Sequence, residues 1–330
     1  GLGLGAAMTF KELVGDRLDV SGRYRINGDF DTKARFRQTS ARLEGRLIEA
    51  LVGYEIDSNE PYYGIGADTD ADDRRVLRRE VLDANASIDL NAQGSLLLSG
   101  KLLLGFSSRR LAPGNDLGQI PVGEMDDEVE IPPGFEKTLS YPRLGIELQF
   151  DNRDRKGRPT RGTLAKFQGA LTSDINGEDL NAAYGRITVN QFIQLLPIYR
   201  ILVLTGGVGL ARPLENDAEV PYHELVTLGR RNFLRGYRRD RFKGQYGWWA
   251  SAQYQFPMGE YMNSDVALSA ALFLDAGQIA DQIDEFLDNS IRYDYGIGLG
   301  VRHTSKSVFS LFVARSVEGI EFAVAGGLEL

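Results

Sequence analysis

The chain of 330 residues has no cysteine, only two histidines and no run of eighteen apolar residues. Without cysteine there is neither a disulfide framework nor a thiolate metal site. Without a long apolar run there is no transmembrane helix. A membrane is still possible, because strands that face lipid on one side alternate and average to mild polarity. No basic stretch followed by an apolar one opens the chain at Gly1-Leu2-Gly3, so it reads as a mature or trimmed fragment. Acidic residues outnumber basic ones, 46 to 38, for a net charge of −8. That balance argues against nucleic acid as a partner. His223 and His303 are isolated; Ser305 stands two residues from His303 at a turn, which does not make a triad. No phosphate loop or zinc pattern occurs. Asp68, Asp70, Asp72 and Asp73 cluster, but calcium-loop spacing would need Gly and Glu where Asp73 and Arg79 stand. The expectation is a non-enzymatic protein with no cofactor and no metal.

What is present is a period of two. Tyr293, Tyr295, Ile297, Leu299 and Val301 alternate with Asp294, three glycines and Arg302. Leu268, Ala270, Leu272 and Leu274 alternate with Ser269, Ala271, Phe273 and Asp275. Trp248, Ala250, Ala252, Tyr254 and Phe256 alternate with Trp249, Ser251, Gln253 and Gln255. One apolar face and one polar or small face mark a half-buried strand. A soluble sandwich would turn the apolar face inward, and a membrane barrel would turn it outward. Two features favour the barrel. Connections alternate long (57–79, 110–137, 213–247, 281–291) and short, the asymmetry of outer-membrane barrels. Aromatics, among them Trp248, Trp249, Tyr261, Tyr293 and Tyr295, collect near strand ends, as in interfacial girdles.

The alternation predicts one all-β domain over 1–330, a transmembrane antiparallel β-barrel. Fifteen strands are visible, at about 1–10, 16–27, 30–41, 42–57, 79–91, 95–109, 139–153, 161–173, 179–195, 199–212, 247–257, 265–280, 291–303, 307–316 and 319–330. Even strand numbers in bacterial barrels imply sixteen, with the first strand upstream of Gly1 or displaced.

One stretch breaks the pattern. Residues 228–247 carry seven Arg or Lys with scattered apolar residues, and fit neither a strand nor an amphipathic helix. At its centre, Leu234-Arg235-Gly236-Tyr237 resembles the loop signature of the BamA/TamA-type outer-membrane barrel superfamily (bacterial surface antigen family), which includes two-partner secretion pores. Leu272-Phe273-Leu274-Asp275-Ala276-Gly277 and the glycine-rich Tyr295–Arg302 stretch are similar to two of that family's strands. Asp151-Asn152-Arg153-Asp154 with Pro159-Thr160-Arg161-Gly162 resembles its mid-barrel turn. Residues 1–16 resemble its second strand and following turn, and Tyr63-Gly64-Ile65-Gly66 resembles a loop of some members. There are departures. Arg230 follows Gly229 where a second glycine is common, Gln253 replaces a Glu, and the last residue is Leu330 rather than an aromatic.

The resemblance implies that the loop folds back into the lumen. Strand parity places Gln253 and Asp275 on the inner wall, where Arg235 could reach both as a latch. Gly236 would allow a tight turn or a positive φ. The resemblance also implies handling of polypeptide clients in contact with outer-membrane lipid, with periplasmic or other outer-membrane subunits as further partners. A passive or anchoring barrel and a secretion pore for one partner stand as alternatives. Gly326, Gly327 and Leu330 in the last strand, and three glycines in the first five residues, point to a weak lateral seam.

Overall fold

The computed structural model describes residues 3–11, 16–43, 45–91, 97–115, 120–123, 129–156, 159–196, 200–215, 218–230, 233–260, 266–287, 291–303 and 306–326. Its strands in chain order are β1 (Gly3–Lys11), β2 (Arg17–Arg25), β3 (Phe30–Ser40), β4 (Arg46–Tyr62), β5 (Arg75–Asp89), β6 (Leu98–Pro113), β7 (Thr138–Asp151), β8 (Gly162–Ser173), β9 (Asn181–Leu196), β10 (Arg200–Arg212), β11 (Val226–Leu228), β12 (Phe242–Gly244), β13 (Tyr246–Glu260), β14 (Val266–Ala280), β15 (Arg292–His303), β16 (Lys306–Ser316) and β17 (Gly319–Gly326). Fifteen of them form one antiparallel sheet in sequence order, and β11 pairs with β12 apart from it. Each strand of the large sheet pairs with the one before it in that sheet, and only β10 and β13 are separated in the chain by further strands, β11 and β12.

The sheet is that of a membrane barrel. Tyr293, Tyr295 and Ile297 are 53%, 54% and 53% exposed, whereas Asp294, between the two tyrosines, is 0% exposed. The apolar residues of one parity therefore face outward and the polar ones inward, which excludes a sandwich. Leu272 and Leu274 face outward with them, and Phe273 and Asp275 are buried. In a soluble core this would be reversed; against lipid it is the stable arrangement. The side chains of Arg302 and His303, and residues Tyr261 and Ser305, lie outside the described residues.

Three expectations are corrected. β4 and β5 run on as a ladder to Tyr62 and Arg75, past a register shift between Asp57 and Glu60. Alternation fails there because the extension is held by polar contacts: Arg79 pairs with Glu55 and Glu60, and Ser58 N–H donates to Asp29 at 2.8 Å. Second, Trp249 is no girdle residue. It is buried on the inner face, opposite Gly207, where an added Cβ would meet the Trp249 ring at 2.3 Å. Glycine there opens the slot that the indole fills. Third, residues 228–247 are not without strands, because β11 and β12 flank the basic turn.

The long loops gather at one end of the sheet. Tyr62, Leu77, Leu111, Val122, Tyr222 and Leu225 form an apolar cluster there, and Tyr62 donates its hydroxyl to the Glu130 carbonyl. This roof covers the segment that enters the lumen.

Candidate functional site

Residues 213–245 join β10 to β13, and their second half folds into the concavity of the sheet. Val226-Thr227-Leu228 pairs with Phe242-Lys243-Gly244. Strands this short are too brief to hold alone; burial holds them. Val226, Leu228, Leu234, Tyr237 and Phe242 pack on Trp249 and Ile279 of the wall. Phe233 stacks on Trp249 at 4.9 Å between ring centroids, and the Arg186 guanidinium lies 4.4 Å from the Trp249 ring. The tip bends through left-handed backbone at Gly229 (φ +128°), Phe233 (+63°) and Leu234 (+55°), a conformation costly for residues with a Cβ. Two backbone bonds close it, Gly229 N–H to the Phe233 carbonyl and Arg230 N–H to the Leu234 carbonyl.

This bend presents Arg235 to the wall. Its Nε donates to Asp275 Oδ2 at 2.8 Å and its Nη2 to Asp275 Oδ1 at 2.7 Å, the bidentate geometry that suits a guanidinium. Nη1 donates to Gln253 Oε1 at 2.6 Å, and Nη2 to Ser251 Oγ at 3.1 Å. Ser251 donates in turn to Asp275 at 2.6 Å. Beneath, the guanidinium lies 3.6 Å from the centroid of Phe273 and 5.6 Å from that of Phe312. The motif thus meets Asp275 and Gln253, the two wall residues singled out in the sequence. Ser251 and Phe273, also in contact, share their parity and could have been read from it.

Gly236 does not have a positive φ; its role is close approach. A Cβ there would lie 2.6 Å from the Cβ of Asp294. Gly236→Ala should therefore lift the motif off the wall and lower the heat resistance of the plug, at a cost of about 1–3 kcal/mol. Differential scanning calorimetry of the detergent-solubilised barrel checks this, with Gly206→Ala as the neutral comparison, since a Cβ there meets nothing and its φ is not positive.

Asp294 faces Asp275 directly across the β14–β15 pair. It is fully buried, and neither carboxylate oxygen meets a donor in good geometry. Of the two opposed carboxylates only Asp275 meets the guanidinium, and Asp294 is buried against it without a cation of its own. A Glu at 253 would add a third carboxylate. The Gln that stands there accepts the same hydrogen bond without the charge.

The plug is tied beyond the latch. Arg230 pairs with Glu321 of β17, and Arg241 Nε with Glu318 at 2.8 Å in the β16–β17 turn. On the other side Arg239 pairs with Asp57 of β4 at 3.0 Å. Arg241 also donates to the Thr69 carbonyl at 2.6 Å, and Gly66 N–H donates to the Lys243 carbonyl at 2.7 Å. Among the described residues the acidic loop therefore meets the plug through its backbone and the Thr69 hydroxyl, not through its aspartates. Among the described residues no group could hold a metal ion.

Below the roof lies a cavity of about 490 Å³, lined among others by Glu49, Arg109, Arg143, Arg186 and His223. His223 stacks edge-on against Tyr141 at 4.9 Å and lies 3.7 Å from Glu224. Burial, and then the positive fields of Arg109, Arg143, Lys243 and Arg79, hold its pKa well below 6.5. The docked loop therefore keeps His223 neutral. A released loop would take up a proton below about pH 6.5, so docking weakens as pH falls, by up to about 1.4 kcal/mol per unit. Protease nicking within 213–245 should rise between pH 7.5 and 5.5, and His223→Gln should flatten that rise.

At the seam, Gly326 pairs with Phe309, and among the described residues β1 pairs only with β2 and β17 only with β16. Gly327 and Leu330 lie outside the described residues.

An antiparallel sheet with its apolar face outward, long loops at one end and a latched plug in its lumen defines an outer-membrane β-barrel. Residues 136–305 match the model of the Omp85 superfamily domain, more than half of the chain, and the protein belongs to the Omp85 superfamily. Among solved structures it is similar to BamA from Haemophilus ducreyi lacking POTRA domains 1–3, at 16% identity and a TM-score of 0.72, over 99% of this chain and 67% of that one. It is also similar to CdiB from Escherichia coli (12%, TM-score 0.59, 98% and 57%) and from Acinetobacter baumannii (10%, 0.51, 98% and 56%). The chain thus spans about two thirds of the first and a little over half of the other two. No curated protein sequence matches it.

Proposed function

We propose that this barrel resides in the bacterial outer membrane and handles polypeptides, inserting them into that membrane or moving them across it, without enzymatic chemistry. The observation that carries the reading is the plug. A lumen filled by β11, β12 and the latched Arg235 is a poor diffusion pore, so a passive channel is disfavoured. Membership of the Omp85 superfamily, and the fold shared with BamA and CdiB, support a polypeptide as the client. The lateral seam between β17 and the strand facing it is the proposed working edge. There, backbone hydrogen bonds could receive a client strand whatever its sequence. Periplasmic or other outer-membrane subunits would deliver that client.

The test is assembly. The full-length protein in proteoliposomes should speed folding of a urea-denatured barrel client by about tenfold or more over empty liposomes. A disulfide locking Ala325 to the facing strand should abolish the gain, and the chain has no native cysteine to interfere. Equal rates with and without the protein would overturn the reading and leave an anchoring barrel. Full acceleration with the seam locked would move the route to the lumen.

A further inference from the structure

The inner wall of the first three strands is strongly basic in a chain whose net charge is −8. Register shows it row by row. At the short-turn rim Lys11, Arg17 and Arg37 stand side by side, opposite Glu49 of β4, which lines the lumenal cavity. The next row sets Arg35 beside Asp19, and the row above it sets Lys33 beside Ser21. Above these, Arg23 faces Asp31, and Arg25 closes the wall. Seven bases thus share one face with only two acids, Asp19 and Asp31.

Part of this charge is neutralised locally. Arg17 pairs with Asp19 at 2.8 Å, Arg37 with Glu49 at 3.0 Å and Arg25 with Asp29 at 3.2 Å. Arg23 and Lys33 are exposed, and among the described residues neither has a carboxylate in salt-bridge reach. Next to them the inner face of β1 carries no bulk. Gly5 leaves the Arg23 stem uncovered: a Cβ at Gly5 would lie 3.6 Å from Arg23 Cβ and Cγ. Two free cations therefore look across small residues into open lumen. The other end of the sheet is different, because there the plug's arginines meet their own carboxylates.

We infer that the inner wall of β1–β3 binds an extended acidic polypeptide segment, one carrying carboxylates at alternate positions, through Arg23 and Lys33. The inference rests on the proposed handling of polypeptides and names the chemistry of the client. The match is one of charge and period. An extended chain presents alternate side chains to one side, and successive rows of the wall are two residues apart on each strand, so carboxylates at every second position keep step with it. Charge complementarity of this kind steers entry and discriminates between clients more than it adds affinity. It is also independent of which strand lies beyond β1.

The test needs no client assembly. The full-length protein in neutral detergent is titrated into two fluorescent 16-residue peptides of alternating pattern. One carries Glu at every second position, and the other Gln at the same positions. Fluorescence anisotropy should show the acidic peptide bound about tenfold more tightly at low salt, with the gap closing as salt rises. Arg23→Gln with Lys33→Gln should erase the gap, while Arg78→Gln with Arg161→Gln should leave it. Ser21→Cys, between the two cations, should form a disulfide under diamide oxidation with the acidic peptide when that peptide carries one central Cys. Heat-modifiable migration confirms that each variant is folded.

Equal binding of the two peptides would overturn the inference, as would a gap that survives the double substitution in folded protein. If lipid A displaces the acidic peptide while the peptide fails to cross-link at position 21, the wall belongs to phosphorylated headgroups and the inference is also overturned. A protein that prefers the acidic peptide yet accelerates no client folding would retain this site and lose the proposed function.

Discussion

Asp275→Asn should release the plug, whereas Asp294→Asn should leave it docked. The two carboxylates are neighbours in one lumenal site, directly opposed across a strand pair. Asp275 receives two bonds from the Arg235 guanidinium and one from Ser251, and its backbone partner, Arg235 N–H, lies at 3.3 Å. Removing its charge leaves a partly buried guanidinium without its carboxylate. Breaking a buried pair in this way costs about 3–5 kcal/mol, and the lower figure applies here because Asp294 remains close as a counter-charge. Asp294 has no such donors. Its replacement by Asn removes a buried carboxyl that has no cation of its own, and plug stability should stay within about 1 kcal/mol of the native protein or rise. Protease protection of residues 213–245, measured against urea, separates the two outcomes. Equal losses for both variants would show that Arg235 is held by the pair and not by Asp275.

A second large loss is expected for Trp249→Ala. The indole fills the slot over Gly207, stacks on Phe233 and carries the Arg186 guanidinium on its face. Truncating a buried Trp costs about 3–5 kcal/mol. Here that loss falls between plug and wall and not on the strand ladder, so the barrel should stay folded while the plug becomes mobile. The chain has two tryptophans. Trp248 is held by its own bond to Gln278 at 3.0 Å, so near-ultraviolet circular dichroism should lose about half of its rigid indole signal while the far-ultraviolet strand signal persists. If both signals collapse together, Trp249 belongs to the fold of the wall and not to the plug.

The contrast between these residues shows what was legible in the sequence. Strand parity is enforced over a dozen residues by lipid on one side and polar side chains on the other, so fifteen strands and the facing of Gln253 and Asp275 could be read directly. Arg235 was legible through a resemblance, not through its own surroundings. Trp249 was assigned to the girdle from its place near a strand end, against its own parity, which it shares with Ser251 and Gln253. Only Gly207, on a neighbouring strand, shows that the inner face has room for it. β11 and β12 were missed because three-residue strands have no period to detect; they exist through burial against a wall remote in sequence. Asp294 was placed correctly inside, but its opposition to Asp275 depends on register, which alternation alone does not fix. For Gly236, the sequence suggested backbone freedom. The structure shows that left-handed backbone falls on Phe233 and Leu234, and that Gly236 is small so that the chain can touch Asp294.

The ties of the plug reach both flanks of the sheet. Glu318 and Glu321 belong to the last hairpin, and Asp57 and Gly66 belong to β4 and the loop after it. One short segment therefore bridges the two regions that must part if the wall opens sideways. Linkage then makes the coupling mutual. Any ligand that favours the undocked segment loosens the last hairpin by the same free energy with which an opened wall favours undocking. A client strand seated at the edge and an occupant of the lumen would sense each other without touching.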